Sequence, residues 1–303
     1  YYLALFVQVD LEAAKHGLAG LRADQLPKLR DVMGRGWVFL IPLAILIYTL
    51  MIISWQPGKA GMAAVIATFI VGGLLKDTRP TFRGILTSIQ ETGRILLDLV
   101  AITALAGLVI GALQLSGFSS KLPLVLVTMA GGNALFLLLL TAIVCIILGM
   151  SLPTTVVYVT LAVLVGPALN QLGIVPLAAH LFLFYFGMLS LITPPDCLAT
   201  YAAAAIAKSD FWKTGWAGMR LGIVAYLVPF VFVFHPALIL QGTVGEVVLA
   251  VAAAAIAVTL LGIACAGFLF RPLGWTKRGL VALAGLCLFP PPSGGLWLAA
   301  NIV

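Results

Sequence analysis

Two short segments carry nearly all the residue types that could do chemistry in an otherwise apolar chain. The first reads Gly149-Met150-Ser151-Leu152-Pro153-Thr154-Thr155. Pro153 cannot donate a backbone hydrogen bond and Gly149 tolerates unusual dihedral angles, so a helix should break there. Ser151, Thr154 and Thr155 would then place hydroxyls beside freed carbonyls, an oxygen-rich setting that suits a hard cation such as Na⁺. An ordinary tight loop at a membrane surface is the competing reading. The second segment runs from Gly187 to Thr193-Pro194-Pro195-Asp196. Two successive prolines should leave carbonyls near Ser190–Ile192 unpaired, unless they merely kink a continuous helix. Asp196 is open to two roles: a cation ligand or proton carrier at membrane depth, or a water-exposed cap of the following helix.

The elements that must position these segments follow from composition. Of 303 residues, 62% are hydrophobic and 9% charged, with a mean hydropathy of +1.17. Soluble domains average about 25% charged residues. The chain is therefore expected to be an all-α polytopic membrane protein with about eight crossing segments; the two breaks would make one re-entrant helical hairpin, or else two short spans, and one discontinuous helix, or else a kinked one. The windows are Trp37–Ile53, Met62–Leu75, an amphipathic Thr81–Leu97 running into Leu99–Leu115, then Leu135–Leu148, Thr154–Leu169, Leu177–Ile206, Gly218–Phe234, Val244–Phe270 and Leu280–Leu288. Cys145, Cys197, Cys265 and Cys287 lie in apolar runs without a metal-ligand pattern and read as buried free thiols. Trp37, Trp55, Trp212 and Trp216 read as interfacial anchors. Asp98 is expected to pair with Arg94, His180 to be packed or interfacial, and His235 to lie at the outer interface. Pro290–Gly295 reads as a loop.

The net charge of +7 is a matter of topology. Fifteen of the seventeen Lys and Arg fall in alternate gaps: Lys15 to Arg35, Lys76 to Arg94, Lys208 to Arg220, and Arg271 to Arg278. Only Lys59 and Lys121 occupy the gaps between. This positive-inside pattern puts the four basic gaps in the cytoplasm and removes the case for nucleic acid. It also requires Leu135–Leu169 to cross an even number of times, either as two short spans or as a hairpin entering from outside. Paired interrupted helices are the best sequence pointer to a secondary transporter's midplane site. No GxSxG, HExxH or phosphate-loop motif is present, so neither an enzyme nor ATP-driven transport is expected.

The stretch Leu148–Ala207, with its LGM-x-LPTT tip, LAAHLF-x-FYFG run and ITPP break, closely resembles the large membrane subunit of tripartite ATP-independent periplasmic (TRAP) transporters. It is similar to the branch with TAXI-type binding proteins and fused permease subunits, as are the flanks Gly132–Leu148 and Phe211–Leu240. The resemblance implies the second half of an inverted-repeat, elevator-type transporter. It would be a permease of the bacterial inner membrane importing small organic anions, coupled to Na⁺ or alternatively H⁺, without another cofactor, and served by a periplasmic TAXI-type substrate-binding protein. Carried over onto this chain, the hairpin tip becomes Gly149, Ser151, Thr154 and Thr155, and the partner break becomes Gly187, Thr193 and Pro194, with Asp196 beside it. Pro153 and Asp196-Cys197 depart from dicarboxylate-type members, which often carry Asp and Val-Gly there. The implied division is a first-half remnant with scaffold helices (1–80), an amphipathic arm plus span (81–133), the hairpin and broken helix (134–207), a closing span (208–240) and extra C-terminal helices (241–303). The first repeat's polar tip is not found, so the chain is expected to lack its N-terminal half. A noncatalytic scaffold or assembly subunit, and a channel independent of a binding protein, are the alternatives.

Overall fold

The computed structural model describes residues 1–18, 33–34, 36–74, 79, 81–150, 152, 154–171 and 173–288, without the side chains of 74, 98, 99, 102, 103 and 106. Ser151, Pro153, Pro290–Gly295 and the Asp98 side chain lie outside that set. The described residues are almost entirely helical and form two units, 19–101 and 1–18 with 102–303.

In the first unit, the turn Trp37–Phe39 leads into α2 (Leu40–Met51), which packs on α3 (Pro57–Leu74). The amphipathic arm and the span after it form one 34-residue helix, α4 (Phe82–Leu115), within which the division between the units falls.

The second unit opens with α1 (Tyr2–Lys15). Beyond α4 the chain bends by 71° into α5 (Phe118–Ala130). The sequence reading has Ser116–Lys121 as a gap and no element over 122–134, so α5 is an addition. Next come α6 (Ala134–Gly149), α7 (Thr154–Leu164), α8 (Gly166–Gln171) and α9 (Pro176–Leu189), then α10 (Leu198–Ala207). Helices α11 (Phe211–Leu221) and α12 (Ile223–Phe234) meet at Gly222 and together make a 24-residue apolar segment. Helix α13 (Val244–Ala266) ends before Phe270, where the sequence reading extended it. A two-residue strand pair, β1 (Phe268–Leu269) and β2 (Arg271–Pro272), turns the chain into α14 (Trp275–Cys287).

Among the described residues, Phe211–Phe234 and Val244–Ala266 are long and apolar enough to cross a bilayer. The bent pair Gly107–Leu115 with Phe118–Ala130 makes a third if taken as one span. The other apolar helices have 10–17 residues. They are short because the chain is interrupted where Pro and Gly interrupt it.

Helix α9 is the centre of the packing, with α6 and α7 on one side and α12 on another. Its Phe182 and Phe186 meet Phe230 of α12 edge to face at centroid distances of 5.3 and 5.5 Å, in a core that includes Leu137, Leu138, Leu161 and Leu183. From Leu122 to Pro195 the chain has no Asp, Glu, Lys or Arg. In lipid such helices gain little from excluding water and associate by close packing, which makes small residues at the contacts decisive.

At one end of the bundle the charges gather. Gln8 of α1, 2% exposed, donates to the Leu221 carbonyl at 3.0 Å, satisfying the end of α11 where Gly222 interrupts the helix. Glu12 accepts from Arg220 at 3.1 Å and meets Lys15 at 3.5 Å. Lys15 reaches the Ala266 carbonyl, and Arg278 donates to the Ala264 and Cys265 carbonyls, so two cations cover the negative end of α13. Burial alone would raise the Glu12 pKa. The bond and charge of Arg220, with Lys15, outweigh it and hold the carboxyl below its ordinary value. A depressed folded pKa means the stabilisation is complete above the unfolded value and lost as pH falls through the folded one. Glu12→Gln should therefore lower the thermal midpoint at neutral pH, with the deficit closing in acid. Melting curves of both proteins across that range check it.

All four cysteines are free: Cys145 and Cys197 are buried, as expected, whereas Cys265 is half-buried and Cys287, at the end of α14, is exposed. Trp37, Trp55, Trp212 and Trp216 are exposed, and His235 is buried within the protein.

Candidate functional site: two interlocked helix breaks

Helix α6 starts cleanly because Asn133 accepts from the Phe136 N–H at 2.9 Å. It stops at Gly149, where Met150 turns to an extended conformation, and α7 restarts at Thr154. Helix α9 tightens into a 3₁₀ turn at Ser190–Ile192, becomes extended at Thr193, passes the cis Pro194–Pro195 bond and restarts as α10 at Leu198. Both expected breaks are present, and they touch.

The contact is made by glycine and one serine. The Ser190 hydroxyl, 1% exposed, lies 2.6 Å from the Gly187 carbonyl and 3.0 Å from the Gly149 carbonyl, so both acceptors share its single proton. A Cβ added at Gly149 would stand 2.8 Å from the Gly187 carbonyl oxygen. One added at Gly187 would stand 2.6 Å from Val157 Cγ1 and 2.9 Å from Leu161 Cδ1 on α7. Glycine at both positions lets α6 approach the backbone of α9 with its own backbone and α7 with the side chains of Val157 and Leu161.

A second layer holds the break in α9. Thr193 donates its hydroxyl to the Leu189 carbonyl at 2.6 Å and accepts from Tyr226 of α12, also at 2.6 Å. Its N–H bonds the Ser190 carbonyl at 3.3 Å. The carbonyls expected to be unpaired near the prolines are thus partly satisfied by Thr193 itself. Tyr201 donates to the Pro195 carbonyl at 2.8 Å. Helix α11 and the residue that ends it lie against the same break with three glycines: Gly215 beside Cys197 and Pro194, Gly218 against the Thr200 methyl group, and the C-cap Gly222 beside Ile192.

The structure brings Gly149, Gly187, Thr193 and Pro194 into one knot. Thr154 and Thr155 stand in the first turn of α7, exposed, and neither hydroxyl is hydrogen-bonded among the described residues. Asp196 is half-buried, directly before Cys197, which caps α10 without a side-chain bond. Ser190, Tyr226, Tyr201, Gly215 and Gly218 were not marked by the sequence as site residues. The one signal that could have pointed to α11 is the three-residue spacing of Gly215 and Gly218, which puts two small residues on one helix face. His180 is exposed, with Nδ1 3.1 Å from the Tyr158 hydroxyl.

Two helices deliver their C-terminal ends to the knot (α6 and the 3₁₀ end of α9) and two begin there (α7 and α10). C-terminal carbonyls carry partial negative charge and N-terminal N–H groups partial positive charge. A site of this kind offers oxygen to a cation and donors to an anion without any charged side chain. A crevice of about 340 Å³ beside Leu189 and Ile192 is lined by aromatic and aliphatic groups and offers an ion nothing comparable. Among the described residues no group of three His, Cys, Asp or Glu could hold a metal ion.

No curated protein and no solved structure matches the chain. A family model does, over residues 1–247: the DctM component of tripartite ATP-independent periplasmic transporters. That range takes in α6 to α12 and every residue of the two interlocked breaks. The likeness read from the LPTT and ITPP segments is thus carried by most of the chain, which belongs to this family of membrane permease components.

Proposed function

We propose that the chain is the membrane permease of a cation-coupled, binding-protein-dependent secondary importer of small organic anions, carboxylates above all. The family works with a periplasmic substrate-binding protein and a small membrane subunit. We take the binding protein here to be of the TAXI type and the membrane to be the bacterial inner membrane. The observation that carries the reading is the meeting of two broken helices at Gly149, Gly187 and Ser190. Discontinuous helices in transporters use C-terminal carbonyls for the coupling cation and N-terminal N–H groups for anionic substrate groups. Thr154 and Thr155 supply further oxygens that favour Na⁺, and Ser151, which lies outside the described residues, belongs to the same segment of the sequence. Thr193 and Pro194 shape the opposite wall, and Asp196 stands at its edge.

In the proposed cycle the cation enters first and draws the carbonyl-rich ends together. The anion then meets the N-terminal ends of α7 and α10, and the loaded unit moves across the membrane as an elevator. The test is uptake of radiolabelled carboxylates into liposomes holding the complete transporter. Uptake should require both an inward Na⁺ gradient and the binding protein. Flux without the binding protein would sink the importer reading in favour of a channel. Uptake driven by a proton gradient alone would reassign the coupling ion.

A further inference from the structure

The turn between α13 and α14 lies beyond the residues matched to the family and is not used by the transport reading. Two of its features are costly. Phe270 sits between the paired strands at φ +54°, a left-handed conformation that bulky residues rarely adopt, and it is 91% exposed. Trp275, five residues on, is 83% exposed. Exposed apolar side chains are common on this chain, but a left-handed backbone under a large aromatic ring is an outlier of the kind that points to a function.

The surrounding charges name the partner's chemistry. Arg278 is already committed, with its guanidinium 4.7 Å from the Trp275 ring centroid and bonded to the last carbonyls of α13. Arg271 and Lys277 are exposed, and the ion pairs found among the described residues all belong to Glu12. From Val247 to the last residue the sequence contains no Asp or Glu. Helix α1, which packs against β1, brings Glu12 near, but that carboxylate is already paired with Arg220 and Lys15, so the turn keeps an excess of positive charge. It stands at the end of a 23-residue helix long enough to cross the bilayer, which is the level of the headgroups. Aromatic rings prefer that level, and cations near it are drawn to anionic lipid.

We propose that the turn Phe268–Lys277 binds the headgroup of an anionic phospholipid. Phe270 and Trp275 insert at the acyl–headgroup boundary, and Arg271 and Lys277 hold the phosphate. The interaction is independent of the transport function.

The test uses the reconstituted full chain and its Trp275→Phe variant, whose difference spectrum isolates Trp275 emission. Vesicles contain brominated phosphatidylcholine or, at equal mole fraction, brominated phosphatidylglycerol. The expected result is at least about twofold stronger quenching of Trp275 by the anionic lipid. The Arg271→Gln/Lys277→Gln variant should be quenched equally by both. Equal quenching of the wild type by the two lipids would overturn headgroup recognition. Quenching by aqueous iodide but by neither lipid would overturn the membrane contact and point to water or a protein partner instead.

Discussion

Adding one methyl group at position 149 is expected to remove most of the transporter's uptake. Gly149→Ala introduces no backbone strain, because Gly149 ends α6 in helical conformation. Its cost is steric. The new Cβ would lie 2.8 Å from the Gly187 carbonyl oxygen and 2.9 Å from Ser190 Oγ. The carbonyl belongs to the backbone of α9 and cannot rotate aside as a side chain would, so the two helices must separate. Overpacking of this kind costs about 1–3 kcal/mol. Separation also strips the Gly149 carbonyl of its Ser190 bond, leaving a buried acceptor unsatisfied at about 1–3 kcal/mol. Liposome uptake should fall at least about tenfold, the equivalent of 1.4 kcal/mol, with the protein still inserted. Gly111→Ala is the matched control, since its Cβ would meet nothing within 4 Å. Its uptake should stay at the wild-type level. Full activity in Gly149→Ala would mean that the interlock is not needed for transport.

The second large effect concerns ligands rather than packing. Thr154→Val/Thr155→Val removes two hydroxyls and keeps the side-chain shape. Both residues are exposed in the first turn of α7, and neither hydroxyl is bonded among the described residues, so thermal stability should change little. If these oxygens help hold the coupling cation, its apparent affinity in uptake should weaken by about tenfold or more, roughly 1.4 kcal/mol. Substrate handover from the binding protein should be untouched at saturating cation. Uptake at the original cation affinity would take both threonines out of the site.

The sequence exposes what is local and hides what is paired at a distance. Pro153 and Pro194-Pro195 announce both interruptions, because a missing N–H is a property of one residue. Nothing in the sequence says that Ser190 will bond a carbonyl 41 residues away, or that Tyr226 will meet Thr193 across 33. Those partnerships exist only once α9 is packed against α6 and α12. Helix α5 is missed for a related reason. Ser119, Ser120, Lys121 and Pro123 look like a gap, yet all four lie inside Phe118–Ala130. Pro123 removes a donor to the Ser119 carbonyl, and Ser119 Oγ is buried without a partner among the described residues. The helix persists because Leu126 and Ala130 are buried in the main core.

The stretch from Leu122 to Pro195 has a further consequence, because it carries no Asp, Glu, Lys or Arg. A voltage across the membrane does work only on charge that moves, about 2.3 kcal/mol per elementary charge per 100 mV. In the proposed cycle this part of the moving body, with His180 neutral, adds no charged side chain to the current, so the voltage acts there on the cargo. The electrical signature of a turnover should then approach the sum of coupling ions and substrate charge.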